Sequence, residues 1–338
     1  MQLFVPDNHA ANLPLMRPAA AGESSAILDL ARQTYGDLIR SDSKVEVIGG
    51  ANINSINYKI EGYCLKKISA KADLDYVSSF PKIAAALRQA SLPVAEFVPD
   101  KEGRFISPVC SAGDAVNFHL CLQHFIAGHF FTGLLTELEQ VMAVLDRIPQ
   151  TLQPLTPTPG QRRVYGAWQP QMVLEEVLQK LRAKPRPENF DLSVYGSIPM
   201  LQAVIAEYVS RIEAFSESTL QHIDLHPHNL LFDKGKLSAL LDLESFVCIP
   251  HELAVGFTLF KLGRKALYTN VLSLAQLRKL YVKRFDLKRL HFFCKVELTR
   301  RIIKILELHY LKGNQAWDSD LPKHFCGLKE IDLLFLDG

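Results

Sequence analysis

The 338-residue chain contains no apolar run of 18 or more residues and no charged leader followed by a hydrophobic stretch. It also has no C-x-x-C pair and no repeat of fixed period. The first two absences leave no candidate for a membrane-spanning helix or a secretory signal, so a soluble, cytoplasmic protein is expected. The six cysteines, Cys64, Cys110, Cys121, Cys248, Cys294 and Cys326, are scattered, a pattern that fits buried reduced thiols rather than a disulfide framework. A net charge of +2 lacks the excess that would draw a nucleic acid or a membrane surface, and neither partner is expected. Hydrophobic residues make up 48% of the chain, ample for the cores of two lobes or domains.

The densest chemistry lies in residues 222–245, HIDLHPHNLLFDKGKLSALLDLES. Pro227 breaks any helix and biases His226 towards an extended backbone, so HIDLHPHN is predicted to be a loop holding its polar side chains in fixed directions. LLFD then reads as a strand, Lys234-Gly235 as a turn, and LSALLDLE as a second strand buried on both faces. Such a hairpin folds Asp242 back beside Asn229. Two hard oxygen donors then meet where Mg²⁺ would sit, an ion that takes one or two protein carboxylates beside substrate phosphates. Asp224 falls on the other side of the loop, where a base is wanted. The alternative is a metallohydrolase site built from the H-x-D-x-H-x-H run, which would need an extended strand through Pro227.

His222, Asp224 and Asn229, followed by Leu241-Asp242-Leu243-Glu244, resemble the H-G-D-x-x-x-x-N and I-D-x-E/D signatures of the aminoglycoside phosphotransferase and choline kinase family, within the protein-kinase-like fold. Ile223 stands where that family has glycine. The resemblance implies a bilobal α+β fold, a small antiparallel sheet lobe followed by a mainly helical lobe. It also implies ATP and Mg²⁺ as cofactors and a small hydroxyl-bearing acceptor such as an aminoglycoside, choline, homoserine or a sugar. Asp224 would orient and deprotonate the acceptor hydroxyl, Asn229 and Asp242 would bind Mg²⁺, and His222 would brace the loop. Glu244 would assist at a second metal or touch the acceptor, and His226 would do the same or cap the loop. A nucleotide-binding pseudokinase is the other reading within this fold.

Residues 44–69 read as three antiparallel strands. Gly49-Gly50, with Asn52, Asn54 and Ser55, supplies a turn through which backbone can approach phosphates. Strand alternation sends Lys66 and Lys67 to opposite faces, so only one can reach the nucleotide. Leu65-Lys66 matches the family dipeptide, which favours Lys66. The following segment, residues 72–93, contains no glutamate to pair that lysine and is interrupted by Pro81; Asp73 or Asp75 are the substitutes on offer. Residues 117–128 suit the strand entering an interlobe hinge, with adenine held by backbone near Gln123 and Phe125.

The expected organisation is an irregular arm over residues 1–22, a nucleotide-binding lobe over 23–125 and a catalytic, acceptor-binding lobe over 126–338. Ser24 and Ser25 are candidate caps for a first helix. Further helices are predicted at 134–148 (closed by Pro149), 169–181, 199–215, from about 251, at 274–285 and at 288–310, with 149–161 a loop. Between Lys261 and Lys304 stand 13 Lys and Arg against two Asp and Glu. If part of that basic surface faces the acceptor pocket, a polycation is repelled and an anionic or zwitterionic acceptor favoured. The oligomeric state is not legible.

Overall fold

The computed structural model describes residues 12–49, 55–110, 116–166, 168–186, 188–216 and 218–336. The N-terminal region is a seven-stranded antiparallel sheet with strand order β1-β2-β3-β4-β7-β5 and β6 also paired to β7. Its strands are β1 (Met16–Pro18), β2 (Val45–Ile48), β3 (Ser55–Ile60), β4 (Tyr63–Ser69), β5 (Phe97–Val98), β6 (Ser107–Cys110) and β7 (Val116–His124). Helices α1 (Ala21–Tyr35), α2 (Leu74–Val77) and α3 (Phe80–Gln89) accompany it. Alternation sorts the residues of β3, β4 and β7. Tyr58, Ile60, Leu65, Leu120 and Leu122 pack with Ile27, Ala31 and Tyr35 of α1. On the opposite face Asn57, Lys66 and Cys121 stand in register.

Three expectations for this region need correction. Residues 16–18 are not an irregular arm: they pair with β2, and the amide of Gly49 donates to the Leu15 carbonyl at 2.7 Å. Ser24 and Ser25 do not cap α1, which starts at Ala21 behind an Ala20 cap without a side-chain bond. Pro81 sits in the first turn of α3, where the missing N–H costs nothing, and so begins a helix instead of interrupting one.

The rest is mainly helical. After β8 (His129–Phe130) come α4 (Leu135–Leu152), α5 (Pro159–Gly166), α6 (Pro170–Arg182) and α7 (Asn189–Ser210). Then follow β9 (Thr219–His222), β10 (Leu230–Asp233), β11 (Lys236–Leu240), β12 (Phe246–Ile249), α8 (His251–Tyr268), α9 (Leu274–Tyr281), α10 (Leu287–Leu306) and α11 (Leu321–Phe335). Proline misled the sequence reading of helix ends. Pro149 lies inside α4, with Ile148 and Leu152 buried around it, and Pro199 inside α7, which starts ten residues earlier. Val194, Ile198, Leu201 and Ile205 carry one buried face past Pro199, and that packing outweighs the lost hydrogen bond. The segment taken as a loop over 149–161 likewise contains the end of α4 and the start of α5.

Two glycines set the spacing of elements beneath the cleft. A Cβ on Gly128 would lie 2.8 Å from the Phe232 carbonyl oxygen, so only glycine lets the chain pass β10 there. One on Gly256 would lie 2.9 Å from the Leu290 oxygen, so α8 and α10 touch at backbone distance. No described helix is long and apolar enough to cross a membrane. All six cysteines are free, but only Cys121 and Cys294 are buried; Cys110 and Cys326 are exposed.

Candidate active site

β9 delivers His222 to the start of the 223–229 loop, and β12 pairs with β9 so that Phe246 stands opposite His222. The loop is tied to the hairpin by hydrogen bonds. The His222 ring lies between them: Nε2 is 2.9 Å from the Leu241 carbonyl, and Nδ1 accepts from the Asp224 amide at 3.1 Å. That pair of partners defines the tautomer with hydrogen on Nε2. Burial lowers the His222 pKa, so the ring stays neutral. With both nitrogens engaged, His222 has no lone pair for a metal. His226 Nδ1 accepts from the His228 amide at 3.2 Å and caps the turn at Pro227–Asn229. The histidine run therefore braces a loop. Among the described residues no three His, Cys, Asp or Glu side chains gather as a metal site. Ile223 is not among the residues with positive φ; its side chain is buried with Tyr165, Val204 and Val247, and the departure from glycine produces no strain.

Asn229 and Asp242 are joined through the hairpin end, the Leu241 amide donating to the Asn229 carbonyl at 2.9 Å. Asn229 Nδ2 donates to the Asp224 carbonyl at 2.9 Å, which leaves Oδ1 as its acceptor atom. Ser245 Oγ donates to Asp242 Oδ2 at 2.6 Å, leaving Oδ1. This pair of oxygen donors fits Mg²⁺, which needs few protein ligands when phosphates complete its shell. The second strand ends at Leu240, earlier than expected, because Asp242 adopts the left-handed conformation (φ 59°, ψ 59°) and residues 243–245 form a turn. Asp tolerates that backbone better than most residues, and such conformations collect at functional sites.

The turn presents Glu244 to the sheet, where it forms an ion pair with Lys66. Burial alone would lower the Lys66 pKa; Glu244 and Asp242 outweigh it and raise it. Tyr76 of α2 donates its hydroxyl to the Glu244 carbonyl. The lysine's partner thus comes from the hairpin turn and not from the helices after β4. Asp73 instead caps α2, accepting from the Asp75 and Tyr76 amides. Lys67 goes to the other face, its ammonium 4.2 Å from the Phe118 ring centroid.

The cleft above this pair is lined by Lys66, Ala95, Phe97, Gln123, Leu240 and Asp242. Gln123 lines it, and Phe125 follows directly on the end of β7. Its amide donates to the Gly62 carbonyl at 2.8 Å and its ring faces Lys59. Gly49 spends its amide on Leu15. Gly50 and Asn54 lie outside the described residues. Ser55 opens β3 opposite Ile68 on the Lys66 face, and its buried Oγ has no hydrogen-bond partner among the described residues.

Asp224 has partners that its local sequence does not reveal. Lys261 of α8 approaches Oδ1 at 2.8 Å and Arg301 of α10 approaches the same oxygen at 3.3 Å. Burial would raise its pKa; Arg301 and Lys261 outweigh burial and hold the carboxyl well below its usual range. Behind them the fully buried Glu297 accepts from Tyr165 at 2.6 Å, from Arg300 at 2.7 Å and from Arg301 at 2.7 Å. Its pKa is lowered to about 2: burial acts to raise it, and the two arginines prevail. Glu297 and Tyr76 had no assigned role in the sequence, and Lys261 and Arg301 entered it only as members of the basic block from Lys261 to Lys304; a sharper signal was the Arg-Arg pair following Glu297 on a helix otherwise largely buried.

The phosphotransferase enzyme family model matches residues 44–260, well over half of the chain. No curated protein matches the sequence. Among solved structures, a spectinomycin phosphotransferase solved with ADP and spectinomycin superposes with a TM-score of 0.61 at 13% identity, covering 95% of this chain and 99% of its own. An amicoumacin kinase solved with AMP-PNP and Ca²⁺ gives 0.57 at 16% identity, covering 91% and 92%. An aminoglycoside phosphotransferase from Alicyclobacillus acidocaldarius gives 0.55 at 15%, covering 90% and 92%. At these identities the superpositions establish the bilobal kinase-like fold, and the family match, spanning the strands around Lys66 and the loop and hairpin from His222 to Glu244, shows that this chain belongs to the phosphotransferase enzyme family.

Proposed function

We propose that this protein transfers the γ-phosphoryl group of ATP, with Mg²⁺, to a hydroxyl of a small molecule. The observation that carries the reading is the convergence of Asp224, Asn229 and Asp242 on one hydrogen-bonded loop and hairpin, with Lys66 brought against the same turn by Glu244. We place the nucleotide-binding lobe at residues 23–125 and the catalytic lobe at 126–338.

Phosphoryl transfer through a loose transition state asks little covalent chemistry of the protein; positioning and charge neutralisation supply most of the rate. Lys66 is already charged and aimed at the cleft, so phosphate oxygens replace Glu244 as its partner. Asn229 Oδ1 and Asp242 Oδ1 would be the protein donors for Mg²⁺, which when bound would neutralise charge on the phosphates. Both ion pairs of Asp224 end on Oδ1, leaving Oδ2 to accept the hydrogen of the acceptor hydroxyl and orient its oxygen. With a lowered pKa, Asp224 acts first as an orienting acceptor and takes the proton late, as a loose transition state permits. His222 keeps the Asp224 amide and the Leu241 carbonyl in register and moves no proton.

The thermal midpoint with ATP alone, with ATP plus Mg²⁺ and without ligand, for wild type and Asp242→Asn, tests the donor side. A ligand at about 100 times its dissociation constant adds roughly 2.7 kcal/mol. A Mg²⁺-dependent rise that Asp242→Asn abolishes supports the reading; no shift at saturating ATP overturns it.

A further inference from the structure

Residues 12–18 hold on to the nucleotide sheet at one end and to the elements around the catalytic loop at the other. The Phe130 amide donates to the Asn12 carbonyl at 2.8 Å, and the Lys265 ammonium donates to Asn12 Oδ1 at 2.9 Å. Both partners belong to elements that touch the loop. The Phe130 ring of β8 stacks on His228 with centroids 4.4 Å apart, and Lys261, about one turn before Lys265 on α8, pairs with Asp224. At the sheet end the Leu15 carbonyl accepts from the Gly49 amide and Met16–Pro18 form β1. Met16 stands opposite Ile48, Ile48 opposite Asn57 and Asn57 opposite Lys66, so β1 joins the sheet in the row that carries Lys66.

The four residues from Asn12 to Met16 reach at most about 14 Å when extended, so while both ends hold, the Lys66 row cannot move far from β8 and α8. The two ends are unlike. Beyond β1 the Ala19 amide donates to the Val45 carbonyl at 3.1 Å and the chain enters α1, whose Ile27, Ala31 and Tyr35 are packed in the core. A Cβ on Gly49 would lie 3.2 Å from the Leu15 oxygen, so glycine lets the segment lie close to the sheet there. Asn12 is exposed, and the next apolar side chains, Leu13 and Leu15, are 64% and 72% exposed. The Asn12 end is therefore held by polar contacts, the stronger of them to the buried charge of Lys265, which is 1% exposed. A segment with so little buried apolar surface comes away at low cost compared with the core.

Building on the phosphotransferase reading above, we propose that residues 12–18 are a strap between the two sides of the cleft, with Asn12 as its clasp, that keeps the nucleotide lysine and the metal donors at their working separation and slows nucleotide release. Lys66 meets the nucleotide from the sheet, and Asn229 and Asp242 meet it from the loop and hairpin. A nucleotide gripped from both sides leaves when the sides part. The ion pair of Lys66 with Glu244 also crosses the cleft, but phosphates take Lys66 from it. The strap uses no group that the nucleotide takes, so its hold persists in the bound state. Asn12 touches neither nucleotide nor acceptor; it is a positioning residue that acts through Phe130 and Lys265.

The test is the dissociation rate of a fluorescent ADP analogue, mant-ADP with Mg²⁺, chased from the full-length protein by excess unlabelled ADP in a stopped-flow instrument. Asn12→Ala removes the bond to Lys265 and is expected to speed release about three- to tenfold, a part of what a hydrogen bond to a charged group contributes. Asn12→Asp keeps an oxygen in the same place and gives it the opposite charge to the ammonium. Its release should be slower than that of Asn12→Ala, at the wild-type rate or below it. A residue that merely stabilises the fold would lower the thermal midpoints of the free and bound protein alike and leave the release rate unchanged. If Asn12→Ala releases mant-ADP as slowly as wild type, or Asn12→Asp releases it no more slowly than Asn12→Ala, the strap is overturned and the phosphotransferase reading stands. If mant-ADP with Mg²⁺ does not bind the wild-type protein at all, both fall.

Discussion

Lys66 on the sheet and Glu244 in the hairpin turn pair across the cleft, each about four-fifths or more buried, and tie the sheet to the hairpin. The helices after β4 contribute Tyr76, whose hydroxyl holds the backbone of that same glutamate. A lysine that would otherwise be poorly solvated is thereby kept charged.

Glu244→Gln leaves that ammonium without its carboxylate. The ligand-free protein should lose about 1–3 kcal/mol, the cost of a buried charge deprived of its partner. Phosphates would restore the pairing, so the ATP-induced rise in thermal midpoint should be larger than in wild type. A smaller rise would mean that Glu244 contributes to nucleotide binding and does not merely hold the lysine's place.

His222→Ala removes an acceptor for the Asp224 amide and a donor to the Leu241 carbonyl, in a site where His222 is 1% exposed. Two buried backbone groups left unpaired should cost about 2–5 kcal/mol, and turnover should fall with loop order. Urea unfolding at neutral pH measures the first. A variant as stable as wild type would show that water replaces the ring without loss.

Glu297 gives a pH signature. Its pKa in the folded protein is lowered to about 2 from an ordinary 4.5, so its contribution to stability is complete above about pH 4.5 and is lost as pH falls towards 2. The thermal midpoints of wild type and Glu297→Gln should therefore differ most at neutral pH and converge below 4.5. Neutral-pH destabilisation of about 3–5 kcal/mol is expected, because two arginines and a tyrosine lose their common partner. A gap that stays constant from pH 7 to 3 would show that the loss is one of packing alone.

Gly256→Ala should separate α8 from α10. With a Cβ 2.9 Å from a backbone oxygen, the helices must shift, at about 1–3 kcal/mol, and the shift moves Lys261 relative to Arg301. Stability and acceptor KM should change together, with the ATP KM nearly unaltered. Loss of stability with an unchanged acceptor KM would show that the helix contact does not set the position of the two cations.

Much of the site was readable because its parts are close in the chain. Asp224, Asn229 and Asp242 lie on one loop and one hairpin, and a period-2 strand must send Lys66 and Lys67 to opposite faces. The failures share a different cause. Pro149 and Pro199 are strong local stop signals, yet both sit inside helices whose buried faces run through them.

The sequence by itself determined the order of strand, loop and hairpin and the oxygen donors they carry, since short-range backbone preferences bring those residues together. Tertiary structure alone decided which charges meet them. Lys261 and Arg301 reach Asp224 from 37 and 77 residues away, and Tyr76 reaches Glu244 across 168. Such contacts form only after packed helices have closed the intervening chain, and no local pattern of residues encodes which of 13 basic side chains between Lys261 and Lys304 will be turned inward.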